Sequence, residues 1–156
     1  MALVQAEALR LLQVPKSFQP GIVSLDFSLT MPFDQEYELA AQGTAPERFL
    51  LDLERGRHKR ARLKFQTRAH RVYVLARLDL DGKPHRNPPE APHRPGERIA
   101  GHHLHIYTEH FGSRVAYLPE EVSGFDVPVL PDDVSWLVAF LTFCHVAPIP
   151  SIQTTL

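Results

Sequence analysis

From residue 22 to residue 80 the chain repeatedly alternates apolar and polar side chains. A period of two is the mark of strands with one buried face. Residues 22–31 set Val23, Leu25, Phe27 and Leu29 against Ser24, Asp26, Ser28 and Thr30. Residues 36–41 form a weaker strand, and 48–54 a stronger one with Phe49, Leu51 and Leu53 inward. Residues 59–66, KRARLKFQ, set Ala61, Leu63 and Phe65 against Arg60, Arg62 and Lys64. Residues 71–80 set Val72, Val74, Ala76, Leu78 and Leu80 against Tyr73, Leu75, Arg77 and Asp79, and Asp81-Gly82 ends the run as a turn. Two shorter strands are expected at 102–108 and 114–118, joined by a hairpin connection containing Gly112.

Helical periodicity is confined to the ends. Residues 3–13 place Val4, Ala8, Leu11 and Leu12 on one face, and Pro15 stops the run. Pro131 opens a second helix over 132–144, with Asp132 and Asp133 favourable in its first turn. Val134, Trp136, Leu137, Val138, Phe140, Leu141 and Phe143 make it apolar nearly all round, which suits a core or an oligomer interface. Strands in sequence with helices at both ends define the α+β class rather than a βαβ sheet. The expectation is one α+β domain over residues 1–156, with a mainly antiparallel sheet of about five to seven strands, an N-terminal helix and an apolar C-terminal helix. Residues 83–98 hold five prolines and no hydrophobic period, so a long Pro/His-rich loop is inserted between strands.

The 156 residues include one cysteine, Cys144, which rules out an intrachain disulfide and a multi-cysteine zinc site. The amphipathic start lacks the basic opening of a signal peptide, and no apolar run is long enough to span a bilayer. A cytoplasmic protein without membrane contact is expected.

Charge is unevenly spread. Residues 55–71 carry eight Lys/Arg and no acid, whereas 119–156 carry five acids and no Lys/Arg. On a strand, Arg60, Arg62 and Lys64 share one side, where a row of cations can follow successive phosphates and Tyr73 can stack on a base. Arg77 is a further cation for developing charge on phosphorus. RNA or another polyanion is therefore the expected partner, with a protein partner or homodimer through the C-terminal helix as the other. Charge of this kind also serves simply to keep an edge strand soluble.

His103-Leu104-His105-Ile106-Tyr107 alternates so that the two histidines and Tyr107 share a face. Paired imidazoles suit general acid–base chemistry, so His103 and His105 with Tyr107 assisting could cleave a phosphodiester without any cofactor. Neutral imidazoles also bind divalent transition metals, with His85, Asp79 or Glu109 completing the set. A third reading leaves the three residues as decoration on a polar sheet face. Whether the chain is an enzyme stays open at this point.

RLDLDGKPHRNP (77–88) followed by GHHLHIYTEHFG (101–112), with ERFLLDLERGR (47–57) before them, resembles an uncharacterised family of small bacterial proteins associated with mobile elements. That resemblance covers roughly residues 45–145 and implies no particular activity. The H-x-H strand is also similar to a short P-P-H-x-H segment of small proteins encoded beside antitoxin-like genes, which implies a toxin-like role. HLHIYTE matches the H-x-H-x3-E fragment of the cupin motif with Glu109 as the carboxylate, but the flanking glycines and the second cupin motif are missing.

Overall fold

The computed structural model of the chain describes residues 2–156. After helix α1 (Gln5–Gln13), the chain forms β1 (Lys16–Phe18), β2 (Ser24–Ser28), β3 (Phe33–Ala41), β4 (Arg48–Arg55), β5 (Leu63–Ala69) and β6 (Tyr73–Leu80). A two-residue pair follows, β7 (His85–Arg86) and β8 (Arg98–Ile99), then β9 (His103–Ile106) and β10 (Ala116–Tyr117). Helix α2 (Asp133–Phe143) and β11 (Ser151–Thr155) end the described chain. Seven strands form one sheet in the order β1-β3-β4-β5-β6-β9-β10, with every pair antiparallel. The α+β class and the antiparallel sheet therefore stand as expected.

Pairing register gives the sheet two faces of opposite character. Leu53, Phe65, Leu78 and Leu104 lie side by side across β4, β5, β6 and β9. All four are fully buried. Against this face pack Leu11 and Leu12 of α1 and Trp136, Leu137, Phe140 and Leu141 of α2, whose Phe140 ring lies 6.2 Å from that of Phe65. Asp132 caps α2 by accepting from Ser135 N, 2.9 Å away, which satisfies one of the helix's free amides. One step along, the other face carries Glu54, Lys64, Asp79 and His103 in the adjacent row, and Gln66, Arg77 and His105 in the row beyond.

Several local expectations shift. The basic strand begins at Leu63, so Arg60 sits in the preceding turn, Arg62 just before the strand, and only Lys64 of the expected row lies on it. Val72 is exposed while Leu75 and Ala76 are both buried, because the β5–β6 register slips between Thr67 and Arg68. A bulge of this kind places two residues opposite one and reverses the face of everything before it. Strands β1 and β11 were not anticipated. β11 pairs with β2 in parallel, outside the main sheet.

Lys16 shows why β1 escaped a pattern search: a lysine fills a core position. Its ammonium is fully buried and donates to Leu12 O, Val14 O and Cys144 O at 2.9, 3.1 and 2.9 Å. One cation thus closes the C-terminal ends of both helices, where the backbone dipoles favour positive charge, and lies 4.8 Å over the Phe49 ring. Burial pulls its pKa down to about 8.

Candidate metal centre and its cleft

Strand pairing between β6 and β9 sets Asp79 opposite His103 and Arg77 opposite His105. Both imidazoles are about as inaccessible as any core leucine, at 1% exposure, and Asp79 is 15% exposed. His103 Nε2 lies 3.2 Å from Asp79 Oδ2, and His105 Nε2 lies 3.4 Å from the same oxygen.

The outer nitrogens fix the tautomers. His103 Nδ1 faces Gly101 O at 2.9 Å and His105 Nδ1 faces Ser113 O at 2.8 Å. A carbonyl only accepts, so each Nδ1 carries a proton and each ring turns its Nε2 toward the carboxylate. Backbone carbonyls hold metal-ligating histidines in this way, orienting the ring and raising its basicity. Asp79 Oδ2 and the two Nε2 atoms converge on one point, all within 4.8 Å of one another. With both Nε2 atoms bare the three would be acceptors alone, and a proton or a cation between them would resolve the repulsion.

Part of that positive charge comes from Arg77. Its Nη2 lies 3.0 Å from His105 Nε2 and 3.2 Å from Asp79 Oδ2, and its Nε donates to Asp79 Oδ1 at 3.1 Å. An arginine is a donor alone, so His105 accepts here and is neutral. Burial drives its pKa down further than the Asp79 carboxylate lifts it. Burial works to raise the Asp79 carboxyl, but the neighbouring His103 and His105 and the Arg77 charge outweigh it and hold it far below the usual carboxylate range.

Loop 83–98 brings a third imidazole. The His85 ring stacks near His103 at 6.3 Å between centroids and stands edge-on to His105 at 4.8 Å. Its Nε2 donates to Arg114 O at 2.6 Å. The loop is held by Asn87, which is 1% exposed. Its Nδ2 donates to His93 O, Arg94 O and Ala116 O, while Oδ1 accepts from Ala116 N. Asn87 in PHRNP is therefore the staple that docks the loop on β10. At the far end, His93 stacks on Tyr117 at 4.5 Å and Arg94 pairs with Glu121.

A cleft of about 390 Å³ opens beside the cluster, lined by Arg62, Lys64, Arg77, Lys83, His85 and His103 among others. Arg62 Nε is buried there without a hydrogen-bond partner. Gly82 forms part of the wall because a Cβ at that position would lie 3.1 Å from Asp79 Cβ.

The remaining sequence candidates lie elsewhere. Tyr107 is not beside the histidines: its hydroxyl donates to Leu3 O and accepts from Leu3 N, which pins the N-terminal segment. Tyr73 stands edge-on to His70 and Tyr107, away from the cleft lining. The Glu109 backbone amide donates to Gln5 Oε1, and its carboxylate takes no part in the Asp79–His103–His105 cluster. Arg60 does not line the cleft, although its carbonyl accepts from Arg55. The basic block is also less bare than its sequence implies: Lys64 pairs with Glu54, Arg68 with Asp52 and Glu36, and Arg55 with Asp133. These acids come from β3, β4 and α2, so counting charges within the block alone concealed them.

Fold and site together define an α+β domain with an Asp–His–His cluster on the outer face of an antiparallel sheet. Residues 3–146 match a family of unknown function (DUF6978), and the chain belongs to it. No curated protein and no solved structure matches the chain. Among the described residues no helix is long and apolar enough to cross a membrane.

Proposed function

We propose that this chain is a metal-dependent, RNA-interacting enzyme, a toxin-like endoribonuclease whose divalent transition metal is held by Asp79, His103 and His105. The observation that carries the reading is the convergence of two oriented Nε2 atoms and a carboxylate oxygen at 3.2 and 3.4 Å. Tetrahedral zinc with bonds of about 2.1 Å would space its ligand atoms about 3.4 Å apart. Two histidines and one carboxylate are a donor set of both zinc hydrolases and iron(II) enzymes. A bound ion would supply Lewis acidity at a phosphoryl oxygen. Arg62, Lys64 and Lys83 would hold the flanking phosphates, and His85 lies where it can exchange a proton with substrate. A cytoplasmic setting belongs to the same proposal and is consistent with the single buried thiol.

A second reading keeps the chemistry metal-free, with His103 and His85 as acid and base. It is favoured by the position of both imidazoles on the cleft wall. It requires His103 Nε2 to leave Asp79, since both nitrogens of that ring are engaged. RNA cleavage by untagged protein, with and without EDTA and beside a His103→Ala/His105→Ala variant, separates the two. Cleavage lost in EDTA, restored by one metal and absent in the variant supports the metal centre. EDTA-resistant cleavage that disappears in the variant moves the weight to acid–base chemistry. Absence of cleavage under every condition removes the nuclease reading.

A further inference from the structure

Arg77 presents a conflict that the metal reading leaves open. Its guanidinium donates to His105 Nε2 and to both oxygens of Asp79, so it already satisfies two of the three groups an ion would need. A lone pair engaged by an N–H is not available to a metal. An arriving dication also repels a guanidinium only a few ångströms away. Arg77 must therefore leave before the ion is fully coordinated.

The surroundings leave one direction for that movement. His105 and Asp79 close the inner side, and β5 and β9 flank the strand. The Arg77 side chain is 27% exposed and forms part of the cleft wall. Within the same cleft Arg62 has a buried Nε with no hydrogen-bond partner, and Lys83, exposed, is also part of the lining. A guanidinium released into this space would meet cations unless an anion lay between them.

We propose that Arg77 is an exchangeable cation: metal binding at Asp79, His103 and His105 releases it into the cleft, where with Arg62 and Lys83 it completes a phosphate subsite. The inference rests on the metal reading and adds the substrate's phosphate group and its coupling to the ion. Metal and phosphate then bind cooperatively, since each favours the released position of the same side chain and the coupling is necessarily reciprocal.

The test uses the full untagged chain, zinc as the metal and dimethyl phosphate as the anion. Zinc affinity is measured by competition with a chromophoric chelator, and anion affinity by phosphorus NMR with and without zinc. In the wild-type chain, zinc should tighten dimethyl phosphate binding, and dimethyl phosphate should tighten zinc binding by the same factor. Arg77→Gln, which loses the charged competitor, should bind zinc about tenfold or more tightly than wild type, because a charge-assisted hydrogen bond no longer has to be broken. The same variant should lose most of the coupling. If Arg77→Gln loses its fold by circular dichroism, Arg77→Lys serves, since an ammonium cannot bridge both partners as a fork does; it should bind zinc more tightly than wild type by a smaller factor. Zinc binding of equal strength in wild type and variants, or coupling that survives in them, overturns the exchange while leaving the metal centre standing. Failure of every protein to bind zinc overturns both.

Discussion

Replacing Asn87 by alanine tests whether the loop carrying His85 is docked by one side chain. The amide bridges His93 O, Arg94 O and both polar groups of the Ala116 backbone, and Ala116 has no exposure to solvent. Truncation therefore strands one buried N–H and one buried C=O, each costing about 1–3 kcal/mol, while the loop carbonyls regain water as the segment lifts. The expected loss is about 3–4 kcal/mol, a large share of the roughly 5–15 kcal/mol typical of a domain. In urea, with a slope of about 2 kcal/mol per molar, the midpoint should fall by about 1.5–2 M. Hydrogen exchange should show loss of protection concentrated at 85–99 and 116. Asn87→Asp sharpens the test. It is the same shape, yet it turns a carboxylate toward three carbonyls, which raises its pKa in the folded chain. The folded state then binds the proton that the unfolded state releases above about pH 3.9, so the variant's stability must fall as pH rises through that window. A loss below about 1 kcal/mol for Asn87→Ala, or an Asn87→Asp variant indifferent to pH, would refute the staple.

Further outcomes are expected. Lys16, with a pKa near 8 in the folded chain against 10.5 as its ordinary value, holds fewer protons folded than unfolded between those pH values, so its contribution makes stability rise from pH 8 upward. Cys144, pushed up to about 11 by burial, does the reverse above pH 9; Lys16→Met should flatten the rise in thermal midpoint, and Cys144→Ala should remove the decline. Arg62→Glu should weaken RNA binding and reduce its salt dependence more than Arg60→Glu, because only Arg62 lines the cleft, and equal effects in filter binding would deny the cleft a role. Gly82→Ala should weaken zinc binding severalfold with little change in urea midpoint, since the new methyl presses on Asp79 Cβ at 3.1 Å; an unchanged zinc titration would show that Asp79 is not a ligand.

The sheet was readable in the sequence wherever one residue in two is apolar. Leu25 with Phe27, Phe49 with Leu51 and Leu53, and Leu63 with Phe65 all point inward as their alternation required. What escaped detection was set by contacts between distant segments. β1 hides behind a buried lysine, β11 is an exposed strand with only Ile152 half-buried, and the bulge beside Leu75 changes the face of β6 midway. His103 and His105 could be chosen because they lie two apart on one strand. Asp79 could be offered only as one of several partners, because its place beside His103 depends on how β6 pairs with a strand 23 residues further on, across the Pro-rich loop. The acids neutralising Lys64 and Arg68 were invisible for the same reason. Tyr107 kept the period-two spacing from His105 but left the site, because the strand ends at Ile106 and the ring turns to the N-terminal segment.

Leu53, Phe65, Leu78 and Leu104 form one row, and Glu54, Lys64, Asp79 and His103 form the adjacent row on the opposite face. Hydrophobic packing and chemistry are thus encoded by the same parity of the same strands. A single inserted or deleted residue inside β6 or β9 would turn Asp79 or the histidines into the core and the leucines into the cleft. Length changes in the 83–98 loop carry no such penalty. Descendants of this sequence can therefore lengthen or shorten the loop over the site while Asn87 is kept, but they cannot shift the cluster along its strands and keep the fold.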